Sequence, residues 1–145
     1  MAPEREWLET DGLGGYASGT ASLTRTRRYH GLLVVATRPP VGRVLLAGGF
    51  DAHVVTAGGR FAISSQRYTP GVVHPDGQRR IASFQAEPWP RWEFRLEDGT
   101  RLDQEILVTR GAPRVVVRWR LREPLGEAML EVRPFLAGRD HHSLC

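Results

Sequence analysis

The sequence predicts an antiparallel all-β sandwich, on three observations. Apolar residues recur at every second position in several segments, the period of a strand with one buried face. No segment sustains the 3.6-residue apolar period of a helix. Sixteen glycines and ten prolines among 145 residues interrupt the chain every few positions, as short strands require. A domain of this length buries roughly two-thirds of its unfolded surface, so a single core suffices. No internal repeat or linker divides the chain.

The elements follow in order. Trp7 to Asp11 is mixed and polar and reads as irregular, and Ser18 to Ser22 is poor helix material. Leu32 to Ala36 is apolar on both faces and reads as a central strand; Val44 to Leu46 is a shorter strand of that kind. Val54 to Thr56 and Phe61 to Ile63 form a hairpin. A two-residue Gly58-Gly59 turn would pair Thr56 with Phe61 and Val54 with Ile63. Trp92, Phe94 and Leu96 alternate, as do Leu102, Ile106 and Val108. An Asp-Gly turn between these two strands would set Arg101 opposite Leu96, on the apolar face. A three-residue loop, Glu97-Asp98-Gly99 with Gly99 left-handed, sets Phe94 opposite Leu102 and is selected. Val115, Val117, Trp119 and Leu121 then face the core, and Arg118, Arg120 and Arg122 face away. Ala128, Leu130 and Val132 repeat the alternation before Pro134. Arg38-Pro39-Pro40, Pro75-Asp76-Gly77 and Glu87-Pro88-Trp89-Pro90 separate the strands as turns.

Charge narrows the partners. The net charge is +4, and all 20 basic residues are arginine. Arg91, Arg95 and Arg101 alternate with Glu93, Glu97, Asp103 and Glu105, the pattern of a solvated face. Arg114, Arg118, Arg120 and Arg122 are the one single-signed stripe. A nucleic-acid-binding β-domain would need that stripe uncovered by carboxylates, so nucleic acid is not the expected partner. No apolar run approaches the ~18 to 20 residues of a membrane helix, and the N-terminus lacks an apolar signal region. Cys145 is the one cysteine, which fits a reducing, cytoplasmic setting.

Few residues suggest chemistry. Gly12-Leu13-Gly14-Gly15-Tyr16-Ala17 matches a loose dinucleotide fingerprint, but neither a buried strand before it nor a helix after it is expected. Its glycines suit a tight loop whose backbone approaches something closely. No nucleophile elbow occurs. Asp140-His141-His142 lacks a third ligand at suitable spacing, so no metal and no cofactor are expected. His30 enters the most buried strand and reads as a structural residue. Trp92 and Trp119 are in phase with apolar neighbours and belong to the core. Trp7 and Trp89 are freer to stack on sugar rings.

One long segment carries a resemblance. Glu6-Trp7-Leu8-Glu9-Thr10-Asp11-Gly12-Leu13-Gly14-Gly15-Tyr16-Ala17-Ser18-Gly19-Thr20, with Thr26-Arg27-Arg28-Tyr29-His30-Gly31-Leu32-Leu33, resembles the N-terminal domain of bacterial and archaeal glycogen debranching enzymes of the amylo-α-1,6-glucosidase type. Pro39-Pro40-Val41-Gly42-Arg43, Pro90-Arg91-Trp92-Glu93-Phe94 and Arg133-Pro134-Phe135-Leu136 agree in order, the last running into Arg139-Asp140-His141-His142. Asp11 stands where the family often has asparagine, and keeps a side chain able to fold back on a local N–H.

The resemblance implies a β-supersandwich preceding a helical (α/α)-barrel whose carboxylates hydrolyse the branch. The implied partners are an α-glucan, glycogen or limit dextrin, and that barrel. Trp7, Gly14, Gly15, Tyr16, Arg27, Arg28, Tyr29 and His30 are then candidates for substrate or barrel contact, with no catalytic residue among them. The alternative is that Arg28 and His30 tie strands within the domain. The chain stops at Cys145, before any barrel, and reads as a truncated sandwich without hydrolase activity alone. Its open edge would favour self-association. A stand-alone carbohydrate-binding module is the competing expectation; it needs an exposed aromatic platform that includes Trp7 or Trp89.

Overall fold

The computed structural model describes residues 5–25, 30–68, 72–123 and 126–140. Its strands are β1 (Glu6–Thr10), β2 (Tyr16–Thr20), β3 (Gly31–Arg38), β4 (Val41–Thr56), β5 (Gly59–Ala62), β6 (Gln66–Tyr68), β7 (Val72–His74), β8 (Ile81–Gln85), β9 (Arg91–Arg95), β10 (Arg101–Val108), β11 (Val115–Glu123) and β12 (Met129–Asp140). A single 3-10 turn, Gly77–Arg80, is the only helical piece among the described residues. The all-β class is as the alternation predicts.

Among the described residues three sheets form, all by antiparallel pairing. The larger runs β1-β2-β3-β4-β12, with β5 also on β4; the second runs β11-β10-β9-β8; β6 and β7 pair as a small ribbon. The core cluster joins Trp7, Ala17, Ala52, Val54, Phe61 and Ile63 from the first half of the chain to Trp92, Phe94, Leu96, Leu102 and Ile106 from the second sheet. Trp7 meets Trp92 edge to face, with ring centroids 5.9 Å apart and planes at 81°. Phe50 meets Trp119 in the same way at 5.3 Å. Edge-to-face contact sets the positive rim of one ring on the negative face of the other.

The β9–β10 loop is the three-residue one. Leu102 pairs with Phe94, Leu96 N–H donates to Thr100 O at 2.9 Å, and Gly99 has φ 89°. The β4–β5 hairpin differs from expectation by two residues: Thr56 pairs with Gly59 and Val54 with Phe61, so Ala57-Gly58 is the turn. A two-residue slip leaves every side chain on its face, so alternation cannot distinguish the registers. A local bond does, because Gly58 N–H donates to Thr56 Oγ1 at 3.0 Å.

Two segments correct the sequence reading more deeply. Trp7 to Asp11 is not irregular; most of it is β1, with Trp7 in the core. The two short strands expected around Val44 and Val54 are one 16-residue strand, β4. Its middle crosses Gly48, where a Cβ would sit 2.4 Å from Arg25 Nη1. The missing side chain lets the guanidinium lie against an unbroken strand.

The sheets are tied by polar groups. Thr56 Oγ1 donates to Asp98 Oδ2 at 2.5 Å, joining the β4–β5 hairpin to the β9–β10 loop. Arg80, largely buried, donates to Asp76 Oδ1 at 2.6 Å, to Glu97 Oε1 at 2.8 Å and to Ala62 O at 3.1 Å. On the outer face of the second sheet, Arg118 pairs with Glu105. Arg122 lies 3.3 Å from Glu93 and 3.7 Å from Asp103. Two of the four arginines of the stripe, Arg118 and Arg122, are therefore matched by carboxylates. No helix among the described residues is long and apolar enough to cross a membrane.

These ties set an acid limit. The Arg101 guanidinium holds Glu93 below the usual carboxylate range, Thr56 does so for Asp98, and Arg80 for Asp76 and Glu97. A carboxyl depressed on folding contributes stability above its unfolded value, about 4, and loses it as pH falls through the folded value. Melting temperature should fall as pH drops below about 4, where these carboxyls take up protons. Thr56→Val should cost about 1 kcal/mol in urea unfolding, the ordinary worth of one hydrogen bond, and should weaken the acid dependence assigned to Asp98.

Candidate functional site

The β1–β2 connection is a built loop. Asp11 is buried, and its Oδ1 accepts from Leu13 N–H at 2.7 Å and Gly15 N–H at 3.0 Å. Its own N–H donates to Gly15 O at 3.2 Å, and its carbonyl accepts from Gly111 N–H at 2.6 Å. This is the fold-back that the Asp11 side chain predicts. The loop's close approach is to the protein itself. Gly14 has φ 96°, and a Cβ there would sit 2.5 Å from Pro40 O. At Gly15 a Cβ would lie 2.4 Å from Asp11 Oδ2 and 2.7 Å from Val34 O. Arg43 Nε donates to Gly14 O at 2.6 Å, which clamps the loop to the start of β4.

Strand alternation divides β1 between two faces. Trp7 points into the core, while Glu6, Leu8 and Thr10 point outward. Leu8 pairs with Ser18 and Thr10 with Tyr16. His30 is buried at the start of β3, and its Nε2 lies 2.9 Å from Glu6 Oε1, so the ring N–H donates to the carboxylate. Glu6, Leu8, Thr10, Tyr16, His30 and Arg43 line one open groove of about 740 Å³, with the glycine loop at one end. It combines an exposed leucine, 62 % accessible, with carboxylate, imidazole, phenol and guanidinium groups. Such a surface can take a polyhydroxylated ligand, giving and accepting hydrogen bonds beside an apolar contact. Among the described residues, no group of three His, Cys, Asp or Glu side chains could hold a metal ion.

Of the residues singled out from sequence, Gly14, Gly15, Tyr16 and His30 come together around this groove. Arg27, Arg28 and Tyr29 lie outside the described residues, as do His141 and His142. Trp7 borders the groove, but its indole is buried against Trp92, so it offers no stacking face. Trp89 is half-buried. Sequence reasoning missed Glu6 as the partner of His30, and Arg43 as the loop clamp. The signal for Glu6 was the strand phase of β1, hidden by its mixed composition. No local signal pointed to Arg43, whose partner is 29 residues away.

The loop geometry is testable. Gly14→Ala meets both a left-handed backbone and a carbonyl, so it should destabilise by roughly 1 to 3 kcal/mol in urea unfolding. Gly111→Ala shares a positive φ, 84°, but meets nothing within 4 Å. It should cost less than Gly14→Ala.

A family model described as glycogen debranching enzyme N terminal matches residues 5–145. No curated protein and no solved structure matches the chain.

Proposed function

The chain belongs to the family of glycogen debranching enzyme N-terminal domains, and from that premise we propose that its groove assists α-glucan binding beside a helical catalytic barrel. The observation that carries the proposal is the convergence of Glu6, Leu8, Tyr16, His30 and Arg43 on the outward face of β1 to β4. Glucan offers hydroxyls that both donate and accept, and C–H faces that suit an apolar side chain. The Glu6–His30 pair and the arginine supply both polarities, and Leu8 supplies the apolar surface. In this proposal hydrolysis belongs to the barrel, and the domain holds the chain being cut.

The carbohydrate-binding-module alternative loses Trp7 as a platform, since that indole is in the core. It would rest on Trp89. The two readings separate by calorimetric titration of this chain with a malto-oligosaccharide. Glu6→Gln and His30→Ala should weaken binding about ten- to a hundredfold, the worth of a charged hydrogen bond, and Trp89→Ala should leave it unchanged. Melting temperatures of the same variants control for folding. Loss of binding in Trp89→Ala alone would move the glucan to the aromatic loop.

We also place the self-association expected from sequence on β12, the edge strand beyond β4. Met129, Leu130, Val132 and Leu136 are exposed there, Leu136 at 78 %. An open strand edge with apolar side chains favours pairing with another chain. Sedimentation should show reversible association as concentration rises, and Leu136→Glu should suppress it. A monomer at all concentrations would show that this edge does not pair.

A further inference from the structure

β12 ends the order of its sheet, so among the described residues one edge of its backbone meets no strand. From Met129 to Phe135 it pairs with β4 residue for residue, and its first irregularity falls between Phe135 and Leu136. The bulge-free run is therefore centred on Val132. Alternation sorts its side chains between two faces. Leu130 and Val132 oppose Val54 and Ala52 of the core, so they face inward, yet they are 40 % and 41 % exposed. Glu131 and Arg133 face outward. Glu131 lies 3.0 Å from Arg60 and Arg133 lies 3.3 Å from Asp51, and both remain exposed.

Resting on the self-association placed on this edge, we propose that its occupant is β12 of a second copy, antiparallel, related by a two-fold axis beside Val132. Directly opposed residues of an antiparallel pair share a face, so such an axis passes beside a residue that meets its own copy. An axis at Glu131 would oppose two glutamates, and one at Arg133 two arginines, like charges in direct contact. An axis at Leu130 or Pro134 shortens the bulge-free ladder and sets Glu131 against an uncharged side chain. At Val132 the run is used whole. Glu131 of each copy stands opposite Arg133 of the other, Met129 opposite Phe135 and Leu130 opposite Pro134. The outward face then carries Arg60 and Glu131 of one copy beside Arg133 and Asp51 of the other, alternating in sign. The inward face carries the apolar layer across the axis. Pro134 has no N–H to give, so the ladder is at most one bond short on each strand. A two-fold contact closes on itself, so association stops at two copies.

The test is sedimentation of this chain and two charge variants, with melting temperatures confirming that each folds. Glu131→Arg leaves two arginines at these positions, and Arg133→Glu leaves two glutamates. Each variant alone should dimerise about tenfold more weakly than the unaltered chain. Mixed in equal amounts they should recover dimers, because every opposed pair is then Arg with Glu. Disulfide cross-linking in a Cys145→Ser background reads the register. Val132→Cys opposes two thiols with Cα atoms about 4.5 to 5.5 Å apart, within disulfide reach, and should cross-link in air. Leu130→Cys holds its thiols four residues apart along the ladder, about 13 Å, and should not. A monomer at all concentrations overturns both the edge contact and the register. Association that mixing does not restore, equal cross-linking by the two cysteine variants, or growth beyond two copies leaves the edge contact standing and overturns the two-fold pairing at Val132.

Discussion

The seat of Trp7 is the constraint on which the rest depends. Its indole packs edge-on against Trp92 of the opposite sheet and lies over Gly19, where a Cβ would come within 3.1 Å of the ring. That contact fixes the phase of a five-residue strand. Once Trp7 is inside, alternation sends Glu6 and Leu8 outside, toward His30 and the groove. The same contact joins the first sheet to the second. A shift of one residue in β1 would exchange Trp7 for Leu8 in the core and remove Glu6 from His30.

The glycine loop extends this constraint. Two glycines allow the chain to pass within contact of Pro40 and Val34, and Asp11 gathers the turn through its carboxylate. Arg43 then fastens the loop to β4. The groove is therefore built on paired strands and a bonded loop, which suits a binding surface that must keep its shape.

β9 to β11 were plain in the sequence; β1, the full length of β4, β8 and the run of β12 past Pro134 were not. β9 to β11 alternate cleanly because one face packs on the core and the other, with its Arg–Glu pairs, meets water. That contrast selected even the three-residue loop at Glu97-Asp98-Gly99. β1 hid because it is short, with Leu8 exposed and Glu9 on the inward phase. β4 hid because glycines and alanine interrupt its apolar pattern where Arg25 lies against it. The candidate site was half legible for the same reason. Gly14, Gly15, Tyr16 and His30 lie in a recognisable segment, whereas Glu6 and Arg43 acquire their roles only when distant strands meet.

The central claim is that the outward face of β1 to β4 receives α-glucan. Amide chemical-shift mapping of this chain during titration with a malto-oligosaccharide tests it most directly. The account predicts saturable shifts clustered at Leu8, Gly14, Tyr16, His30 and Arg43, with little change across β9 to β11. Shifts confined to Trp89 and its neighbours, or none at millimolar sugar, would contradict it.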